Sequence, residues 1–375
     1  MPTDPAVIHR SQVRRSWIIL IGVAVVTVAL WAGFFGIQRY RERSAIRAWE
    51  EFKARATASG ESFAWSPVPV YTPIPEDRNF LAHPWVRDWV TSRSHPARPF
   101  IETLGAACPA DYEYPAEGNS WLATHPDATA AILATGSEHE ADLSALREAA
   151  MRPECIPLST VDTTALQYLS DLQKPVALHA EASLAKGHTV TAIQDLEILL
   201  LTARHLHSTP CALALVMACG FENKAVEVIR VGLKTGAFSA EEKLRLAHAC
   251  RATPVQADLM TAMRNERGRL LSTLDMDVVP AGLPFRPGQP FQPWKRFRAR
   301  SSLTYCELLQ PGLSPGASTV DWQTITDRAR QIMNDKKADP ADKFAASMVN
   351  LLASVCPPLI EQDQQMQDIR RQLTE

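Results

Sequence analysis

The chain lacks the compact signatures that announce a chemistry. No two of its seven cysteines stand as C-x-x-C, so zinc ribbons and thioredoxin-like redox motifs are unsupported. H-E-x-x-H, G-x-S-x-G, a Walker loop and G-x-G-x-x-G are all missing, which removes the zinc-protease, hydrolase-elbow and nucleotide-cradle readings. No 34-residue period is sustained, so the tetratricopeptide flavour of Ala182, Gly187 and Ala192 does not extend to a repeat array. His205 and His207 stand two apart and point to different faces of a helix, not in the i, i+4 geometry of a zinc pair. No metal and no cofactor are therefore expected. A site assembled only by the fold stays open, because triads and carboxylate pairs need not be close in sequence.

Charge is absent from Trp17 to Ile37, a run of 21 residues. As a helix it would span roughly 31 Å, about the hydrocarbon thickness of a bilayer. Trp17, Trp31, Phe34 and Phe35 suit the interfacial zones, and no small-x-small cleavage site precedes the basic Gln38–Arg41 stretch. A transmembrane helix at 17–37 after a short tail at 1–16 is expected, as a signal-anchor. Arginines flank it on both sides: Arg10, Arg14 and Arg15 before, Arg39, Arg41, Arg43 and Arg47 after. The charge rule is nearly balanced. An N-terminus inside and a body outside the inner membrane are favoured, because long domains translocate largely regardless of charge. The cysteines are compatible with that oxidising side.

The net charge of −2 conceals a basic start and an acidic body: residues 1–60 carry nine Lys/Arg against four Asp/Glu. An acidic body argues against nucleic acid as partner. Ile46, Trp49, Phe52 and Ala56 recur at helical spacing up to Gly60, so a stalk at 38–60 continues the span. Small-xxx-small spacings at Ala29/Gly33 and Ala32/Gly36 would suit a homo-oligomer. Pro67, Pro69, Pro73 and Pro75 then dictate an extended strap over 61–98, docked by Trp65, Tyr71, Phe80, Trp85 and Trp89.

The order of single anchor, basic Trp/Phe helix, "GESFAW", Pro-Val-Pro run and "PIPEDRNFLAHP" resembles a group of single-span bacterial membrane proteins without an assigned activity. The likeness continues over about 178–250. It implies the architecture and no residue-level function.

The body reads as mainly α, with helices over 99–275 and a C-terminal helical subdomain at 301–375. Helices are expected at Val176–Lys186 (closed by Gly187), Val190–His207, Cys211–Cys219 (ended by Gly220), Phe221–Lys234 and Ala240–Arg251. Others fall at Ser302–Leu309, Trp322–Lys336, Pro340–Val355 and Pro358–Leu373. Capping boxes are expected at Ser239/Glu242 and Ser137/Glu140.

Acidic residues are missing between Asp277 and Glu307. There Arg286, Lys295, Arg296, Arg298 and Arg300 mingle with Trp294 and Phe297 in a proline-rich segment, 276–300, expected to be an irregular loop. Contact with anions or lipid headgroups is one reading; packing onto the body with the arginines paired to acidic groups is the other. Pairings Cys108–Cys155, Cys219–Cys250 and Cys306–Cys356 are conceivable, against buried free thiols. The leading expectation for function is a membrane-anchored scaffold or adaptor that presents a helical surface to other envelope proteins. An envelope hydrolase is the alternative, and contact of the 285–300 segment with anionic lipid or polymer is a third.

Overall fold

A computed structural model describes residues 5–61, 63, 74–92, 98–107, 112, 118–155, 163–209, 211–252, 255–275, 293–313 and 320–375. The side chains of 5–22 and 24, and of some helix-end residues including Trp294, lie outside that description. The chain is mainly helical, and no strand occurs among the described residues. In order the helices are α1 (Pro5–Ala58), α2 (Pro84–Thr91), α3 (Arg98–Ala107), α4 (Pro126–Glu138), α5 (Glu140–Ala150), α6 (Thr163–Ser170) and α7 (Gln173–Ala185). Then follow α8 (Thr189–His207), α9 (Ala212–Thr235), α10 (Ala240–Ala249), α11 (Val255–Asp275), α12 (Pro293–Leu313), α13 (Trp322–Asn334) and α14 (Pro340–Thr374).

The anchor and stalk expected from sequence are one helix, α1, of 54 residues. Its apolar side chains between Val23 and Ile37 are largely exposed, with Leu30 69% and Trp31 57% accessible. Farther along, Trp49, Phe52 and Ala56 become buried against α12 and its neighbours. Gly60, at φ +88°, reverses the chain just past the helix end, a conformation that costs glycine little. The reversal drives Glu61 inward, where it meets Arg267 of α11 at 2.7 Å, both side chains essentially inaccessible. Gln310 of α12 donates to the other carboxylate oxygen, and the Arg267 guanidinium lies 4.7 Å above the Phe63 ring. The stalk is thereby latched to the body by a buried ion pair.

The described part of the strap is fastened as its aromatics suggest, but it is not wholly extended. Two single 3-10 turns, Glu76–Arg78 and Phe80–Ala82, lead into α2. Pro84 occupies the first turn of α2, where a missing N–H costs nothing. Phe80 is fully buried and stacks on His205 at 4.7 Å; Trp89 donates its indole N–H to the Tyr168 carbonyl at 2.6 Å. Trp85 donates to Asp142 at 2.9 Å. Trp65 and Tyr71 lie outside the described residues.

Two main cores share two long helices. One core gathers α2, α5 to α10 and the end of α14; the other gathers the stalk, α11 to α13 and the start of α14. A smaller cluster joins α3, α4, α5 and α7. Helix α9 gives Leu215 and Cys219 to the second core and Phe221, Ala225 and Ile229 to the first. Helix α14 does the same, with Val349, Ala353 and Leu359 in one and Met366, Ile369 and Leu373 in the other.

Several boundaries differ from the sequence expectation for identifiable reasons. Gly220 does not end a helix: α9 runs straight through it, and the missing Cβ leaves space for Gln173, whose Oε1 would come within 2.7 Å of one. The C-cap of α9 is Gly236, at φ +66°. Ser137 does not start a helix either; α4 extends through Glu138 and α5 begins after His139, so no capping box forms there. The box at Ser239/Glu242 is formed. Pro357 and Pro358 lie inside a continuous α14 rather than between two helices. Both prolines are on its exposed side, while Ala353, Cys356 and Leu359 hold the two halves against one core, so packing overrides the break. Residues 293–300 are not loop but the first turns of α12, again with proline at the start.

By length and composition α14 is apolar enough to cross a membrane, with a mean hydropathy of 1.4 in its most apolar window. Its buried residues recur every three to four positions and pack on α9, α10, α12 and α13, the pattern of a core helix.

Candidate functional site

A polar cluster lies where the two main cores meet. His207 ends α8, Cys219 and Glu222 stand one turn apart on α9, Arg251 follows α10, Asp258 opens α11 and Asp363 faces in from α14. His207 Nε2 is 3.2 Å from Glu222 Oε1, and His207 Nδ1 is 3.4 Å from Asp258 Oδ2. Arg251 Nε donates to Glu222 Oε1 at 3.2 Å, and its Nη2 donates to Asp363. The Val255 N–H, at the start of α11, donates to the other Asp363 oxygen at 3.2 Å. The Cys219 thiol completes a group in which the His207, Cys219 and Glu222 ligand atoms lie within 4.8 Å of one another.

Burial pushes the His207 pKa down, but hydrogen bonding to Asp258 and Glu222 more than reverses this and holds it above the usual histidine range. Burial pushes Glu222 up, and the hydrogen bond and charge of His207, with the Arg251 guanidinium, bring it below the usual carboxylate range. The Cys219 thiol is pushed up to about 12, chiefly by burial and then by the Glu222 charge. One oxygen, Glu222 Oε2, is buried with no hydrogen-bond partner.

A cleft of about 460 Å³ reaches this cluster, lined by Arg204, His207, His248, Cys250, Arg251, Asp258 and Arg370. Arg204 also braces its wall, donating to the His248 and Ala249 carbonyls at 2.7 and 2.8 Å, the open carbonyl end of α10. His207 presents both ring nitrogens to carboxylates, which orients it but leaves it no bond to a hydroxyl among the described residues. The arrangement suits cation holding better than activation of a serine.

Other buried polar groups are braces. His179 Nδ1 and Arg147 both bind the inaccessible Asp195, at 2.6 and 2.9 Å. Glu181 accepts from Tyr112 and Ser120, each at 2.6 Å, and burial raises its pKa despite them.

The residues singled out for anion or membrane contact are placed differently from that expectation. Phe297 is buried and packs on Phe344 at 5.5 Å. Arg296 pairs with Asp339, and Arg300 makes a forked bond to Asp342 at 2.6 to 2.9 Å. Lys295 is exposed and Arg298 half-buried; Arg286 and the Trp294 side chain lie outside the described residues. The pairing of these arginines with acidic groups of the body, the other reading of the segment, is met by Asp339 and Asp342 at the start of α14, about forty residues away. Arg296 and Arg300 line a second cleft, of about 1140 Å³, between Tyr40–Ala48 of α1 and α12 to α14.

Cys211, Cys219, Cys250, Cys306 and Cys356 are free thiols, so the Cys219–Cys250 and Cys306–Cys356 bridges are not formed. Cys155 is in no disulfide and hydrogen-bonds to Ser208; Cys108 lies outside the described residues. Burial pushes Cys155, Cys250, Cys306 and Cys356 up to about 12, the behaviour of packed rather than reactive thiols.

Sequence spacing missed the His207 cluster because its members come from five segments. The available signal was the Cys219-x-x-Glu222 pair, which a helix puts on one face. Comparison of the chain with protein-family models, curated proteins and solved structures returns no match.

Proposed function

We propose that the protein is a single-span membrane scaffold that holds a helical body at a fixed pose against the bilayer and presents it to other envelope proteins. The observation that carries this reading is α1 itself: an exposed apolar length, 23–37, continues without a break into a stalk buried in the body and latched by Glu61 and Arg267. An apolar helix surface standing in water is costly, at about 25 cal/mol per Å², and a bilayer removes that cost. A rigid stalk fixes the height and orientation of the body, which a flexible linker would not do. The free thiols withdraw cysteine support for export. An outward-facing body then rests on the three arginines of the short N-terminal tail, which would otherwise have to cross.

A second reading, an enzyme or ligand-binding body, is favoured by the polar cleft at His207. Among the described residues, the exposed large apolar side chains of the body, Met151, Val190, Val216, Leu244 and Leu351, fall on separate elements and mark no apolar groove. Site-directed crosslinking in intact membranes tests the scaffold. Photoreactive groups at exposed body positions such as Leu244 and Leu351 should give a discrete adduct of constant size. That adduct should weaken when Glu61→Gln loosens the latch. Adducts to nothing but lipid would rule out the scaffold.

A further inference from the structure

We propose that His207 Nε2, Cys219 Sγ and Glu222 bind one divalent transition-metal ion, zinc by their chemistry, at the seam of the two cores. The inference goes beyond the scaffold reading and does not depend on it. An imidazole, a thiol and a carboxylate form a donor set that suits zinc and disfavours magnesium or calcium, which take oxygen ligands. The 3.2 Å between Nε2 and Oε1 matches the separation of about 3.3 Å that two ligand atoms adopt on a tetrahedral ion with bonds of about 2.0–2.1 Å. Cys219 and Glu222 project from one face of α9, and the three ligand atoms already lie within 4.8 Å. Binding requires the sulfur to move in from that distance.

Two features fit a cation at this position. Glu222 Oε2 is buried without a partner although the side chain is only 4% accessible. Asp258 Oδ2 stands 3.4 Å behind the imidazole, on the side of His207 Nδ1, an ion-pair distance from which a carboxylate can support a metal-bound histidine. The cleft reaches His207 from solvent, so it supplies an entry path and the water for the fourth position.

Binding releases protons: the thiol of Cys219 gives up its proton to solvent as the metal–sulfur bond forms, and any proton on His207 Nε2 leaves that nitrogen before its lone pair binds the metal. No oxidation occurs.

Cobalt(II) titration of the detergent-solubilised, chelator-stripped full chain tests the proposal. One equivalent should bind with a thiolate-to-cobalt charge-transfer band, and zinc should displace it. Cys219→Ala, checked for folding by circular dichroism, should lose the band. Asp258→Asn, at a partly exposed position, should keep the band and weaken binding by roughly 10–100-fold. The absence of stoichiometric binding, or a charge-transfer band that persists in Cys219→Ala, would overturn the site.

Discussion

Glu61 and Arg267 show how much can rest on one side chain. Each is buried and each faces the other's charge, so removing one partner strands a charge in a medium that solvates it poorly. Glu61→Gln should lower stability by about 3–5 kcal/mol, measured by urea unfolding of the solubilised chain, with the double variant Glu61→Gln/Arg267→Met costing less because it leaves neither charge stranded. His205 makes a pH prediction. Its ring is buried against Phe80 and its Nε2 lies 3.0 Å from the Ala150 carbonyl; burial depresses its pKa to about 4. The unfolded chain, with an ordinary histidine, then binds the extra proton first. Stability should therefore fall between pH 6.5 and about 4, by roughly 3 kcal/mol in total from this group. His205→Gln should flatten that part of the acid-unfolding curve. Little of this was legible from sequence. "GESF" stood out by resemblance, but no spacing rule links Glu61 to a residue more than two hundred positions away.

Helices were the most legible scale, since apolar period and glycine or proline punctuation are local. α7, α8 and α10 and the Ser239 cap follow the expected pattern within a few residues. Apart from the Ser137 cap, the failures share one cause: glycine and proline were read as stops where packing had recruited them for another purpose. Gly220, read as a stop, and Gly136, inside α4, differ in what the missing Cβ makes room for. A Cβ on Gly220 meets only the flexible end of Gln173, so Gly220→Ala should change stability by no more than about 0.5 kcal/mol. A Cβ on Gly136 would lie 2.1 Å from the His179 ring, which Asp195 holds in place. Gly136→Ala should destabilise by about 1–3 kcal/mol or more, as overpacking does. Thermal melts of the two variants side by side check the contrast.

At the scale of the whole molecule, α9 and α14 pass through both main cores, so neither core is complete without the other's helices. The body should unfold as one cooperative unit, and probes in α2 and α13 should report a single midpoint; two separated transitions would show independent domains. The polar cluster sits at that seam, which explains why it could not be read from sequence: it exists only once five segments have docked. The apolar run at 17–37, by contrast, was legible because a bilayer would impose a length and an apolarity that a single run of residues either has or lacks. Its attachment was only half legible, since the stalk was visible in sequence and the latch was not.

Alkaline carbonate extraction of membranes from cells expressing the full chain, beside a version lacking residues 1–38, tests the anchored arrangement most directly. The full chain should stay in the pellet until detergent releases it, and the shortened chain should be soluble and folded. A full chain recovered in the carbonate supernatant, without detergent, would contradict it.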